Sequence, residues 1–312
     1  MSRSPTPASK GVPLRKSGPP NHPPAQINVA MRCDTAFRIV AQRHFVSLAT
    51  NREATCEGDP IALHQMRVAL THLRTSILFF SPMVDDAITE RIRDELKWLN
   101  RQLGAVRDLD VAIERIAAAN SKLPQGLPHF QSWQEKRAEG HRQLTRSLRS
   151  ARYRRLVERT LGWIENGPWC TKTGKQAAKR RATPIAAYAV DKLVQWEEKL
   201  LKKCGKLRRM DARKRHRLRI LNKKLTYSID SLADLFSDKL FLKQKTALKH
   251  LRKAQRCLGQ LNDNVQGRAL AAALRQDGVA TSLEFLTPKD EKRLLSATEK
   301  AYRKLAALKA WT

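Results

Sequence analysis

The sequence predicts an all-α protein with about eight helices, four in each half of a duplicated unit and packed as antiparallel bundles. Three observations predict it. Apolar residues recur at steps of three and four, the spacing of one helical face, and long period-two alternation is absent. His64-Gln65-Met66-Arg67-Val68 returns as His216-Arg217-Leu218-Arg219-Ile220. Leu103-Gly104-Ala105-Val106-Arg107-Asp108 returns in the same order, at an offset of roughly 150 residues, as Leu258-Gly259-Gln260-Leu261-Asn262-Asp263.

Residues 1–28 are rich in Pro, Ser and Gly, with Arg3, Lys10, Arg15 and Lys16 among them. Such a segment cannot bury apolar surface, so a disordered basic tail is expected. Residues 29–165 form the first helical repeat. There Leu63, Met66, Leu70, Leu73, Ile77 and Phe80 make one apolar stripe, and Asp59-Pro60 supplies a capping side chain before a first-turn proline. Asn166-Gly167-Pro168 to Thr183-Pro184 breaks the pattern and carries Lys172, Lys175, Lys179, Arg180 and Arg181, so 166–183 reads as a basic linker. Residues 184–312 form the second repeat, with Leu218, Leu221, Leu225, Leu232 and Leu235 as its stripe and Thr287-Pro288 as a start signal.

The chain has 61 Lys+Arg against 29 Asp+Glu, a formal net charge of +32, and a field of that size attracts polyanions. The hydrophobic share of 41% is enough to fill a core. Cys33, Cys56, Cys170, Cys204 and Cys257 are odd in number and contain no CxxC, which suits reduced thiols in the cytoplasm. No apolar run reaches the length of a membrane span, and the basic N-terminus lacks the apolar segment of a secretory signal.

His64, Arg67, Thr71 and Arg74 share one helical face beside the apolar stripe. His216, Arg219, Lys223 and Thr226 repeat those steps, with Lys224 adjacent. Guanidinium forks, ammonium charges and imidazole donors in register suit phosphate. If the histidines touch it, affinity rises on acidification.

In the third helix of each half, Lys97, Arg101, Gly104 and Asp108 align with Arg252, Arg256, Gly259 and Asp263. A glycine inside a helix costs about 1 kcal/mol against alanine, so close approach of a neighbouring helix is expected at Gly104 and Gly259. Asp108 and Asp263 either accept hydrogen bonds from the His or Arg of the preceding motif helix or pair with cations on their own helix. No metal motif and no cofactor site is found, and no glycine-rich phosphate loop accompanies the histidines. A binding protein is therefore expected, not an enzyme.

These residues resemble the CHAD family, the conserved-histidine α-helical domain. The matching segments are His64 to Arg74, Leu103 to Asp110, His216 to Tyr227 and Leu258 to Asp263. The resemblance runs from about residue 30 to the C-terminus. It implies two pseudo-symmetric four-helix bundles facing each other across a basic cavity, binding of inorganic polyphosphate and residence at polyphosphate granules. The cavity residues it implies are His64, Arg67, Arg74, Lys97, Arg101, His216, Arg219, Lys223, Lys224, Arg252 and Arg256, with Gly104, Asp108, Gly259 and Asp263 in orienting or structural roles. Thr71, His72 and Thr226 stand where the family commonly has arginine, which thins the lining. The alternative partner is DNA or RNA, held without sequence preference by the tail, the linker and the cation-dense stretch 199–224. Base-reading motifs are absent.

Overall fold

Four polar side chains fix where helices begin, each accepting a backbone N–H that the first turn leaves unpaired. In the computed structural model, which describes residues 26–119, 130–235, 238–276, 284–309 and 311, Asp59 accepts from the Ile61 amide at 2.7 Å. Ser150 accepts from Tyr153, Asp211 from Lys214, and Thr287 with Asp290 forms a reciprocal capping box. Most of the tail expected at 1–28 lies outside the described residues.

The helices are α1 (Cys33–Thr50), α2 (Arg52–Cys56), α3 (Pro60–Phe79), α4 (Ser81–Val84), α5 (Thr89–Ala119), α6 (Phe130–Arg149), α7 (Ala151–Asn166), α8 (Lys175–Ala182), α9 (Ile185–Cys204), α10 (Ala212–Ser231), α11 (Asp238–Gln276) and α12 (Pro288–Leu308). The protein is all-α. Eight of these helices have 18 residues or more: α1, α3, α5 and α6, then α9, α10, α11 and α12. Their packing follows one order twice. In the first half α1 packs on α3, α3 on α5 and α5 on α6; in the second, α9 packs on α10, α10 on α11 and α11 on α12.

The halves share a core. One apolar cluster includes Leu63, Met66, Leu70 and Leu73 of α3 together with Leu218, Leu225 and Ile229 of α10, and α3 packs directly on α10. A smaller cluster joins Ala112 and Ile116 of α5 and Trp133 of α6 to Leu274 of α11. Among the described residues the only β-type pairing is the bridge between Arg32 and Pro184. There the Cys33 amide donates to the Thr183 carbonyl at 3.0 Å and the Ile185 amide to the Met31 carbonyl at 2.7 Å. This bridge holds the starts of α1 and α9 side by side.

The segment 166–183 connects the halves and packs against the first of them. Trp169 is fully buried, edge-on to Phe37, and its ring N–H donates to the Trp163 carbonyl at 2.8 Å. Arg180 donates to the Pro82 carbonyl and Arg181 to the Trp169 and Lys172 carbonyls. Two arginines of this basic linker are thus spent on backbone oxygens. All five cysteines are free thiols, and burial pushes Cys33 up to about 12. Among the described residues no helix is long and apolar enough to cross a membrane.

Candidate functional site

The basic faces of α3 and α10 divide by depth. On α3, His64 is exposed, whereas Arg67, Thr71 and Arg74 are half-buried; on α10, His216 is exposed and Arg219, Lys223 and Lys224 are half-buried. The stripe runs obliquely into the seam where the two helices meet, so its inner members lose water that its outer members keep.

Inside the seam the cations converge from both halves. Burial pulls Lys223 down to about 8, helped by the positive charges of Arg219 and of Arg67 from the other half, and opposed by Asp263. Lys224 is lowered by burial and by Arg74 and Lys199. Arg67 is lowered by burial, with Asp108 opposing and Arg107 adding. Burial alone lowers Arg74. Two cation groups result, Arg67 with Arg219 and Lys223, and Arg74 with Lys224 and Lys199. Guanidinium groups stay charged at any physiological pH, so the first group holds positive charge in a poorly solvated place.

The glycines explain how two of these side chains fit. A methyl group on Gly104 would stand 3.2 Å from Arg67 Nη1, and one on Gly259 would stand 3.9 Å from Arg219 Nε. What approaches each glycine from the neighbouring helix is therefore a guanidinium group, Arg67 of α3 at Gly104 and Arg219 of α10 at Gly259. Arg67 Nη1 and Arg219 Nε are buried and have no hydrogen-bond partner. Equivalent arginines of the two motifs thus each point an unused donor into the protein.

Other members of the candidate set lie apart. Lys97 is exposed and pairs with Asp94 at 2.7 Å, while Arg252 is exposed and pairs with Asp230 at 2.9 Å. Arg101 and Arg256 are exposed on α5 and α11. His216 Nδ1 lies 2.8 Å from Asn262 Oδ1 and lines a cavity of about 310 Å³ with Arg213 and Arg215. Thr226 is buried and donates to the Asn222 carbonyl, so it leaves the basic face for the core. Thr71 likewise donates to the Arg67 carbonyl.

Of the two roles the sequence left open for the aspartates, hydrogen bonding to the motif helices is not the one seen. Among the described residues no hydrogen bond joins Asp108 or Asp263 to a histidine or arginine of the motif helices; their influence on Arg67 and Lys223 acts through charge. The Asp263 carbonyl instead accepts from Arg115 at 3.4 Å, and Arg115 Nη2 stands 3.9 Å from its carboxylate. Arg115 escaped the sequence reading although it lies two turns beyond Asp108 on the same face of α5. Asp110, at the end of the same motif, is only 2% exposed. It accepts from Arg137 at 2.7 Å and sits 3.0 Å from His141 Nε2, tying α5 to α6.

A ring stack closes the seam beside the cations. His72 lies between His44, with centroids 4.8 Å apart, and Tyr227, at 4.3 Å. His44 Nε2 is 2.9 Å from Ser231 Oγ. Sequence offered little to find this, since His44 lies outside the repeated motifs and nothing local to His72 shows which rings it meets. Among the described residues no group of three or more His, Cys, Asp or Glu could hold a metal ion.

A family model described as the CHAD domain matches residues 39–272. Among solved structures, the chain is similar to the CHAD domain of the plant Ricinus communis, at 23% identity over 93% of this chain and 92% of that one, with a TM-score of 0.66. It is also similar to PptA from Streptomyces chartreusis, at 14% identity over 90% and 98% of the two chains, with a TM-score of 0.54. No curated protein matches the chain.

Proposed function

Since the chain belongs to the CHAD domain family, we propose that it binds inorganic polyphosphate, without catalysis, in the seam between α3 and α10. The observation that carries this reading is the pair of buried guanidinium nitrogens, Arg67 Nη1 and Arg219 Nε, that have no partner. A buried unsatisfied donor costs about 1–3 kcal/mol, and more when charged. Phosphate oxygens would supply the missing acceptors and offset the repulsion that Lys223 feels from Arg67 and Arg219.

The shape of the charge favours a polymer over a single phosphate. Arg67, Arg219 and Lys223 form one group; Arg74 and Lys224, farther along α3 and α10, form another with Lys199 of α9. A linear anion can reach both. A nucleic-acid duplex is a wide rod, whereas donors half-buried between two helices suit a thin strand with no bulky bases. On this reading His64, His216, Lys97, Arg101, Arg252 and Arg256 are outer contacts that gather the polymer, and the protein resides at polyphosphate granules in the cytoplasm. The two helix sets act as pseudo-symmetric jaws with one arginine each at the centre.

Calorimetric titration with polyphosphate tests this. Arg67→Ala and Arg219→Ala are each expected to weaken binding about tenfold or more, the value of a charged hydrogen bond. Lys175→Ala with Lys179→Ala, both on α8, is expected to change it little. Equal losses from the two sets would assign the binding to diffuse surface charge. A preference for single-stranded DNA at matched phosphate concentration would reject the ligand.

A further inference from the structure

A cleft among the described residues lies away from the α3–α10 seam. It opens between α5 and α7 and encloses about 540 Å³, within the roughly 300–1,000 Å³ typical of small-molecule sites. α7 lies outside the packing order that the two halves share. Its residues Arg152, Arg155 and Arg159 follow steps of three and four, so they line one face. From α5, Arg91 joins them across the opening.

The floor is apolar. Ile92, Leu156 and Trp163 are buried beneath it, and Ile88 stays 39% exposed at its edge. Gly162 forms part of the wall, and a methyl group added there would meet nothing within 4 Å. Among the described residues lining the cleft, Glu95 is the one carboxylate, and Arg152 already occupies both of its oxygens at 2.9 and 3.0 Å. Arg152 is also held over the Trp98 ring. Arg91, Arg155 and Arg159 are exposed and are left to face the opening.

We infer that this cleft is a second ligand site, for a nucleoside di- or triphosphate. Three guanidinium groups call for an anion of several charges, which excludes a fatty acid with its single carboxylate. An apolar floor calls for a body beyond the charge, which inorganic phosphate chains lack. A nucleobase supplies the flat body, and the phosphates match the arginine forks at the rim. Base identity is left loose, because backbone and amide donors are few in the lining.

The test uses the full chain carrying Arg67→Ala and Arg219→Ala, so that the central seam does not contribute, titrated with ATP, ADP and inorganic triphosphate. ATP and ADP are expected to bind at one site and triphosphate at least tenfold more weakly. Gly162→Leu, which grows into the open cleft, is expected to abolish nucleotide binding and leave polyphosphate binding by the otherwise native chain unchanged. Arg155→Ala with Arg159→Ala is expected to weaken ATP about tenfold or more. Triphosphate binding as tightly as ATP would show a site for charge alone and overturn the proposal. ATP binding that survives both Gly162→Leu and the paired arginine change would overturn it as well. Unchanged circular dichroism and tryptophan fluorescence confirm that each variant is folded.

Discussion

Gly104 and Gly259 show how a residue can be visible in sequence while its reason is not. Both stand out as glycines inside helices in matching motifs, yet what approaches each is a guanidinium group, a contact that no local pattern encodes. Their unequal clearances make a prediction. Gly104→Ala must displace Arg67 by a few tenths of an ångström, so polyphosphate affinity should fall severalfold. Gly259→Ala should leave affinity unchanged while gaining up to about 1 kcal/mol of helix propensity. Binding isotherms and melting curves of the two variants check this, and equal effects on binding would remove the Arg67 contact from the account. Lys223 carries a second prediction. Its folded-state proton leaves near pH 8, whereas in the unfolded chain it leaves near 10.4. Between those values the unfolded state binds more protons, so this residue makes stability rise with pH. Anion affinity should move the other way, falling from pH 7 to 9 as the ammonium is lost. Lys223→Met should therefore raise the melting temperature by roughly 2 °C, the worth of about 1 kcal/mol in a chain of this size, while weakening polyphosphate binding and flattening its pH profile.

At the level of helices, the starts were legible and the partners were not. Asp59-Pro60 and Thr287-Pro288 announce α3 and α12 because a cap acts within one turn. The segment 166–183 misleads for the opposite reason. Its glycines, proline and cations read as a basic linker, but the Trp169 ring finds a place against Phe37 only once α1 and α7 are packed. The seam formed by α1, α3 and α10 was likewise hidden, since His44, His72 and Tyr227 come from three separate helices. This seam has its own pH signature. Burial and the charges of His72 and Arg43 pull His44 down to about 3, and burial lowers His72. An unfolded histidine takes its proton near 6.5. Below that pH the unfolded state binds more protons, so the seam's stability is intact above about 6.5 and declines as the pH falls toward 3. Replacing His44 with Gln and His72 with Phe should flatten the fall in melting temperature between pH 7 and 4.5. An unchanged slope would place the acid sensitivity elsewhere.

For the molecule as a whole, the net charge of +32 points to a polyanion as partner and the repeated motifs point to the helices proposed to meet it, but neither shows that those helices converge. Only the packing of α3 on α10 brings Arg67 within range of Lys223. By analogy with single-stranded nucleic acid, about six phosphate contacts give a log–log salt slope near −4, on the order of a three-hundredfold loss of affinity between 50 and 200 mM salt. A slope near zero would refute a site built on charge. Removing residues 1–28 should preserve most of this binding, because the converging cations lie between Arg67 and Lys224; a collapse would shift the site to the tail. The shared core has a consequence for integrity under attack. A protease that severs the exposed stretch from Thr171 to Gly174 cuts the connection and little else, because the buried faces of α3 and α10, the small cluster around Trp133 and the Arg32–Pro184 bridge still join the pieces. The nicked protein should elute from a sizing column as an intact molecule and part into two fragments only in detergent or denaturant, and neither fragment made alone should stay in solution without the other.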